Sequence, residues 1–210
     1  MSTTLIKDLQ PHEVGDTDAY NRLQMRRAIH SRGDSNAEPL VGVAGEPLRV
    51  LVLDDQQALT DTTAKLIGIW GHEVRQAYDG KSALALAATY EPEIVLLDIL
   101  MPQMNGLQFA TQLRQIAGLE KCFLVAITGR TDPDHRSLCE AAGIDLFLIK
   151  PVAPAILKTL LTWESEYVLR ARHHEAKQPM WSMPLRASAP RLTKSPAPVL
   201  HFALPDAIAP

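Results

Sequence analysis

Short continuous apolar runs alternate with stretches of helical spacing across residues 49–172. Five of the runs read as strands: RVLVLD (49–54), EVRQAY (73–78), EIVLLD (93–98), CFLVAIT (122–128) and DLFLIK (145–150). Their length and near-unbroken apolarity suit strands covered on both faces, as in a parallel sheet. Between them apolar residues recur at helical spacing over residues 58–70, 81–90, 106–116, 133–142 and 154 to about 170. Gly71 and Gly143 stand where helices should stop, and Asp132-Pro133 offers an N-cap acid followed by a proline at the first helical position. Together these signals predict an α/β fold, a (βα)₅ doubly wound parallel five-stranded sheet over residues 48–172. In such a sheet the ligand site forms outside the carboxyl ends of the strands.

The flanks have a different texture. Residues 1–47 are polar, poor in β-branched residues and end in the linker-like VGVAGEP, and only AYNRLQMRRAIH (19–30) has helical potential. This part reads as an N-terminal extension, disordered or partly helical. Residues 173–210 hold seven of the fifteen prolines, which excludes a continuous helix or a central strand, so they read as a proline-rich disordered tail. Trp181, Met183, Leu185 and Phe202 could form a docking motif within it, although an unstructured end is the favoured reading.

Composition narrows the partners. A net charge of -3 and a pI near 6.2 provide no basic field for a nucleic acid backbone or an anionic membrane. Arg186, Arg191 and Lys194 are sparse and separated by prolines, as in a solvated linker. The amino terminus lacks the apolar core of a secretory signal, and no run is long enough to span a bilayer. Two cysteines, Cys122 and Cys139, are too few for a disulfide framework, so a reduced cytoplasmic location is expected.

The candidate chemistry lies at the strand ends. The first strand ends in Asp54-Asp55, the third in Asp98, the fourth in Thr128 and the fifth in Lys150, so four polar clusters reach one edge of the sheet. Tyr78-Asp79-Gly80 after the second strand reads as a turn. Crowded carboxylates repel unless a cation joins them, and Mg²⁺ suits such oxygen ligands while leaving positions open for phosphate. Asp98 is then the candidate nucleophile, because a carboxylate can form an acyl phosphate, with Lys150 and Thr128 placed to hold phosphoryl oxygens.

The elements LVLDD (51–55), LLDILMPQMNG (96–106), AITG (126–129) and LFLIKP (146–151) resemble, in order and spacing, the receiver domain of bacterial two-component response regulators over residues 48–170 or so. The resemblance implies a flavodoxin-like receiver fold and a regulatory protein rather than an enzyme. It implies Asp98 as phosphoacceptor, with the donor a sensor histidine kinase or a histidine phosphotransfer protein. It further implies Mg²⁺ bound by Asp54, Asp55, Asp98 and the backbone carbonyl of Leu100, and Thr128 and Lys150 on the phosphoryl group. Phe147 would be the switch aromatic and Lys150-Pro151 a cis peptide that aims the lysine. With no pattern for a DNA-binding output domain after the last helix, the expectation is a stand-alone receiver similar to chemotaxis regulators. Its output would be a contact with an effector protein, made by the helix at 133–142, the fifth strand and the last helix.

Several rivals are weighed against this reading. A phosphorelay intermediate shuttling phosphate between histidine proteins stands closest. An aspartyl-phosphate hydrolase of the haloacid dehalogenase type needs two aspartates two positions apart on the first strand, where Asp54-Asp55-Gln56-Gln57 has the wrong spacing. A receiver that has lost its chemistry and acts only as a binding module is disfavoured by the intact acids, threonine and lysine. Asp54 and Asp55 could instead be plain helix-capping acids, Thr128 a plain strand end and Phe147 a core residue. Met101 and Met104 read as packing residues, and His72, His135, His173 and His174 as surface residues. Leu100 and Arg130 occupy positions that, in the family resembled, influence loss of the phosphoryl group, and leucine cannot hydrogen-bond a water, so slow self-dephosphorylation is expected. Gly129 follows the threonine where alanine is common and would loosen the loop.

Overall fold

The structure, a computed structural model, describes residues 16–31, 46–129 and 133–176. In chain order the elements are α1 (Thr17–Ser31), β1 (Arg49–Leu53), α2 (Gln57–Ile69), β2 (Glu73–Ala77), α3 (Gly80–Tyr90), β3 (Ile94–Leu97), α4 (Gly106–Leu113), β4 (Phe123–Thr128), α5 (Pro133–Ala141), β5 (Leu146–Ile149) and α6 (Pro154–Ala176). The five strands form one sheet in the order β2-β1-β3-β4-β5, every pair parallel. This is the (βα)₅ arrangement read from the apolar pattern. The order reverses direction at β1, which sets β1 and β3 side by side and opens a crevice at their carboxyl ends.

Alternation along each central strand sends side chains to two cores. Leu51, Leu53, Val95, Leu97, Leu124, Ala126, Phe147 and Ile149 face one, closed by residues of α3, α4 and α5 such as Ala83, Phe109 and Cys139. Val50, Val52, Ile94, Leu96, Val125, Leu146 and Leu148 face the other, closed by Ile67 of α2 and Ile156, Leu160, Leu161 and Trp163 of α6. Burial on both faces is why these strands read as unbroken apolar runs, whereas the edge strand β2, EVRQA, alternates between exposed and half-buried positions and is buried only at Ala77. Gly71 and Gly143 end their helices with φ of 92° and 81°, a left-handed backbone that side chains disfavour.

Two features depart from the expected layout. The stretch 19–30, read as having helical potential, is helical within α1, but it does not stand apart as an extension: it packs on β5 and α6 and buries Tyr20, Asn21, Gln24, Met25, Ala28 and Ile29. The last helix runs on to Ala176, past the boundary drawn at residue 172. Residues 177–210 of the proline-rich tail, with Trp181, Met183, Leu185 and Phe202, lie outside the described residues, as do Arg130 and Asp132.

One side chain ties the lower rim of the sheet together. The Arg114 guanidinium, just after α4, donates to the carbonyls of Gly143 (3.0 and 2.7 Å), Glu120 (2.9 Å) and Cys122 (2.6 Å) and to Asp145 Oδ2 (2.7 Å). The same Asp145 oxygen accepts from the Leu124 N–H at 2.8 Å, so the starts of β4 and β5 are held to α4 by one planar fork.

Candidate phosphoryl-acceptor site

The apolar run of β1 ends at Leu53, and the next residue turns out of the sheet. Asp54 is 6% exposed there, and its Oδ1 accepts the Gln56 N–H at 2.9 Å, while the Thr60 hydroxyl donates to its carbonyl, also at 2.9 Å. These bonds fix the turn into α2, but they do not make Asp54 a helix cap: the N-cap is Gln56, without a side-chain cap hydrogen bond, and the backbone N–H that the Asp54 carboxylate accepts is that of Gln56 itself. Its second carboxylate oxygen is left for the crevice. Asp55, beside it, is exposed.

Asp98 follows β3, the neighbour of β1, and is likewise 6% exposed. Its Oδ1 accepts the Leu100 N–H at 3.2 Å. The loop beyond folds back on itself: Gly106 N–H donates to the Ile99 carbonyl at 3.0 Å, and Gln103 takes a φ of 64°. A Cβ at position 106 would lie 2.3 Å from the Asp98 carbonyl oxygen and 2.8 Å from Ile99 Cα, so only glycine lets α4 start this close to the acid. Asn105 completes the turn with a capping box, accepting from Gln108 N–H at 2.9 Å while Gln108 Oε1 accepts from Asn105 N–H at 3.1 Å. Gly106 thus sets the position of the acid, a role that its place within the motif does not disclose. The adjoining Pro102 and Asn105 are the signal that could have marked it.

The fold brings the acids together. One oxygen from each of Asp54, Asp55 and Asp98 lies within 4.8 Å of the others. Lys150, at the end of β5, reaches across with Nζ 2.8 Å from Asp54 Oδ2 and 2.7 Å from Asp98 Oδ2. Burial lowers the proton affinity of this ammonium, but the hydrogen bonds and charges of Asp54 and Asp98 outweigh it and raise its pKa above the usual lysine value. One cation facing three carboxylates leaves net negative charge, and the remaining donors are all hard oxygens, a set that fits a small divalent cation such as Mg²⁺. The Lys150-Pro151 bond is cis.

Thr128 ends β4 on the same edge, fully buried and opposite Ile149 in the sheet register. Phe147 is buried, 8% exposed, in the core cluster of α4 and α5. The Leu100 side chain is 52% exposed beside Asp98. Met101 is buried and Met104 packs against the same core, as packing residues do. A largely apolar cleft of about 420 Å³ runs from Asp54, Asp98 and Lys150 between α2 and the start of α6, past Leu59, Thr63 and Val152. His72 is not the surface residue expected of it: it is half-buried, and its Nδ1 accepts the Leu48 N–H at 3.2 Å, with burial lowering its pKa below 6.5.

The family model for the response regulator receiver domain matches residues 50–162, more than half of the chain. The chain belongs to the response regulator receiver family. Among curated proteins this receiver is similar to the response regulator MprA of Mycolicibacterium vanbaalenii, 35% identical over 107 residues, covering 51% of this chain and 46% of that protein. It is also 30% identical over 133 residues to MprA of Mycobacterium tuberculosis, covering 63% and 56% of the two chains. The match thus spans about half the length of these relatives. Among solved structures, the chemotaxis protein CheY4 of Vibrio cholerae superposes with a TM-score of 0.54 at 28% identity over 55% of this chain and 97% of its own. A CheY-like receiver domain protein from Methanospirillum hungatei superposes at 0.56 over 60% and 99% of the two chains, and at 23% identity shows the shared fold alone. Receiver domains are regulatory signalling domains rather than ordinary enzymes. No helix among the described residues is long and apolar enough to cross a membrane.

Proposed function

We propose that this receiver accepts a phosphoryl group on Asp98 from the phosphohistidine of a sensor kinase or a phosphotransfer protein, and thereby switches a protein contact. The observation that carries the reading is the placement of Lys150 Nζ 2.7 Å from a buried Asp98 carboxylate, within a cluster of three strand-end acids. An oxygen of Asp98 attacks phosphorus, the phosphorus–nitrogen bond breaks, and its electron pair returns to the ring nitrogen, which takes up one proton from water so that the histidine leaves as neutral imidazole. Asp54, Asp55 and Asp98, with the Leu100 carbonyl, would hold Mg²⁺, which supplies countercharge for the phosphoryl oxygens. Lys150 and the Thr128 hydroxyl would hold two of those oxygens once the acyl phosphate forms. The apolar cleft, lined by the exposed Leu59, gives the histidine-bearing partner a surface next to Asp98. The reaction belongs in the cytoplasm, where the buried thiols of Cys122 and Cys139 stay reduced.

Output follows from a shift of population. A phosphoryl group that Thr128 and Lys150 bind better in one arrangement favours that arrangement, and a partner with the same preference gains affinity. Thr128 and Phe147 lie on neighbouring strands, and both lead into the face of α5, β5 and α6, so the effector contact belongs there.

The test is intact mass after incubation with Mg²⁺ and acetyl phosphate, wild type beside Asp98→Ala. Gain of one phosphoryl group in the wild type alone supports the reading. Equal gain in both, or in neither, refutes it.

A further inference from the structure

The sheet edge within the proposed output face already carries a helix. Six positions of α1, Tyr20, Asn21, Gln24, Met25, Ala28 and Ile29, are buried and fall on one stripe. This stripe straddles β5. Tyr20 joins the cluster of Phe147 and Ile149, while Met25, Ala28 and Ile29 join that of Leu146, Leu148 and α6. Between them the Asn21 carboxamide grips the strand, with Nδ2 donating to the Ile149 carbonyl and Oδ1 accepting the Ile149 N–H, both at 2.9 Å and both buried. One side chain thus satisfies the backbone pair that an edge strand otherwise offers to a neighbouring strand.

The composition of the stripe suits a contact that opens. Asn21 and Gln24 are amides that water can satisfy once the helix leaves, and so is the backbone of Ile149, so release strands no polar group. The same amides make docking specific in register, because only one placement of α1 sets Asn21 opposite Ile149. Ile149 directly precedes Lys150, whose Nζ spans Asp54 and Asp98.

We propose that α1 is an intramolecular partner of this face, docked while Lys150 spans the two acids and released when a phosphoryl group on Asp98 draws Lys150 away from them. The vacated β5 edge and α6 then take an amphipathic helix of the same chemistry from the effector, one that sets a carboxamide against Ile149. The inference rests on the receiver reading of the site and names what that site regulates. Coupling between two sites is reciprocal at equilibrium, so loosening α1 must also strengthen binding of a phosphoryl mimic.

The experiment is hydrogen exchange on the full chain with Mg²⁺, with and without acetyl phosphate, intact mass reporting phosphoryl occupancy in the same samples. Phosphorylation is expected to speed exchange of the α1 amides and of Ile149 by about fivefold or more, the lower end of ordinary coupling, and to leave Val52 and Leu96 in the centre of the sheet unchanged. Asn21→Ala should speed the same amides without any phosphodonor and tighten binding of beryllium trifluoride, a non-covalent phosphoryl mimic, by a similar factor. Full phosphorylation with α1 exchange unchanged overturns this inference and leaves the receiver reading standing. Neither phosphoryl gain nor mimic binding overturns both. If Asn21→Ala fails to fold, exchange of the wild type alone decides.

Discussion

Gly106 gives the most direct access to the site without touching an acid. In Gly106→Ala the new Cβ would sit 2.3 Å from the Asp98 carbonyl oxygen and 2.8 Å from both Ile99 Cα and Leu97 Cδ1. Two of these neighbours are backbone, so the start of α4 or the residue bearing the carboxylate must move by about 1 Å to restore ordinary contact. Overpacking of this kind costs about 1–3 kcal/mol, which lowers the melting temperature of a domain this size by roughly 3–10 °C. A displacement of about 1 Å at a reacting group costs up to about a hundredfold in rate, so phosphorylation by acetyl phosphate should slow by more than the loss of folded protein explains. Two other glycines calibrate the result. At Gly80 the added carbon meets only side-chain atoms, Met104 Sδ, Cγ and Cβ at 2.6, 2.7 and 2.9 Å; the thioether can turn aside but the Cβ moves only with its loop, so Gly80→Ala should also destabilise while leaving the Asp98 backbone in place. At Gly129 nothing lies within 4 Å, so Gly129→Ala should be neutral or stabilise by up to about 1 kcal/mol through the unfolded chain. The assays are thermal melting and time-resolved intact mass. A Gly106→Ala protein that melts and reacts like the wild type would refute the reasoning.

Three further outcomes follow from particular contacts. Arg114→Lys leaves three N–H donors for four carbonyl and carboxylate partners, at least one of which loses its donor, and should cost roughly 1–3 kcal/mol in urea unfolding. Because burial lowers the His72 pKa, the folded protein binds this proton less readily than the unfolded chain. Its contribution is therefore fully present above the ordinary value of 6.5 and is lost as pH falls below it, and His72→Gln should flatten the stability profile measured from about pH 8 to about pH 5. Leu100→Asn places a hydrogen-bonding group where leucine has none. One such bond to the attacking water, about 1 kcal/mol, should shorten the phosphoryl lifetime about fivefold by mass, and an unchanged decay would remove Leu100 as the cause of persistence.

How legible each part was depended on whether its reason is local. The central strands were legible because two-sided burial demands an unbroken apolar run, and the acids at their ends stood out against it. Asp79 capping α3 through the N–H groups of Lys81 and Ser82, at 3.0 and 2.9 Å, was legible as a turn for the same local reason. The docked α1 was not. Its buried stripe mixes Asn21 and Gln24 with Tyr20 and Met25, so it lacks the apolar face that marks a core helix, and its amides make sense only beside the open edge of β5. His72 and Arg114 escaped notice likewise, since their partners Leu48, Gly143 and Asp145 are set by packing between elements.

The sequence by itself determined the five strands and the five helices that follow them, the doubly wound class and the set of polar residues delivered to the carboxyl ends of the strands. Tertiary structure decided which of them meet. Parallel strands are joined by crossovers, so the neighbour of a strand is chosen by how helices cover the sheet and not by the next residues in the chain. Only the reversal at β1 puts β3 beside it and Asp98 beside Asp54, and only the placement of β5 brings Lys150, 52 residues from Asp98 in the chain, to 2.7 Å from its carboxylate. The edge that this order leaves open at β5 is also what gives α1 a place to dock.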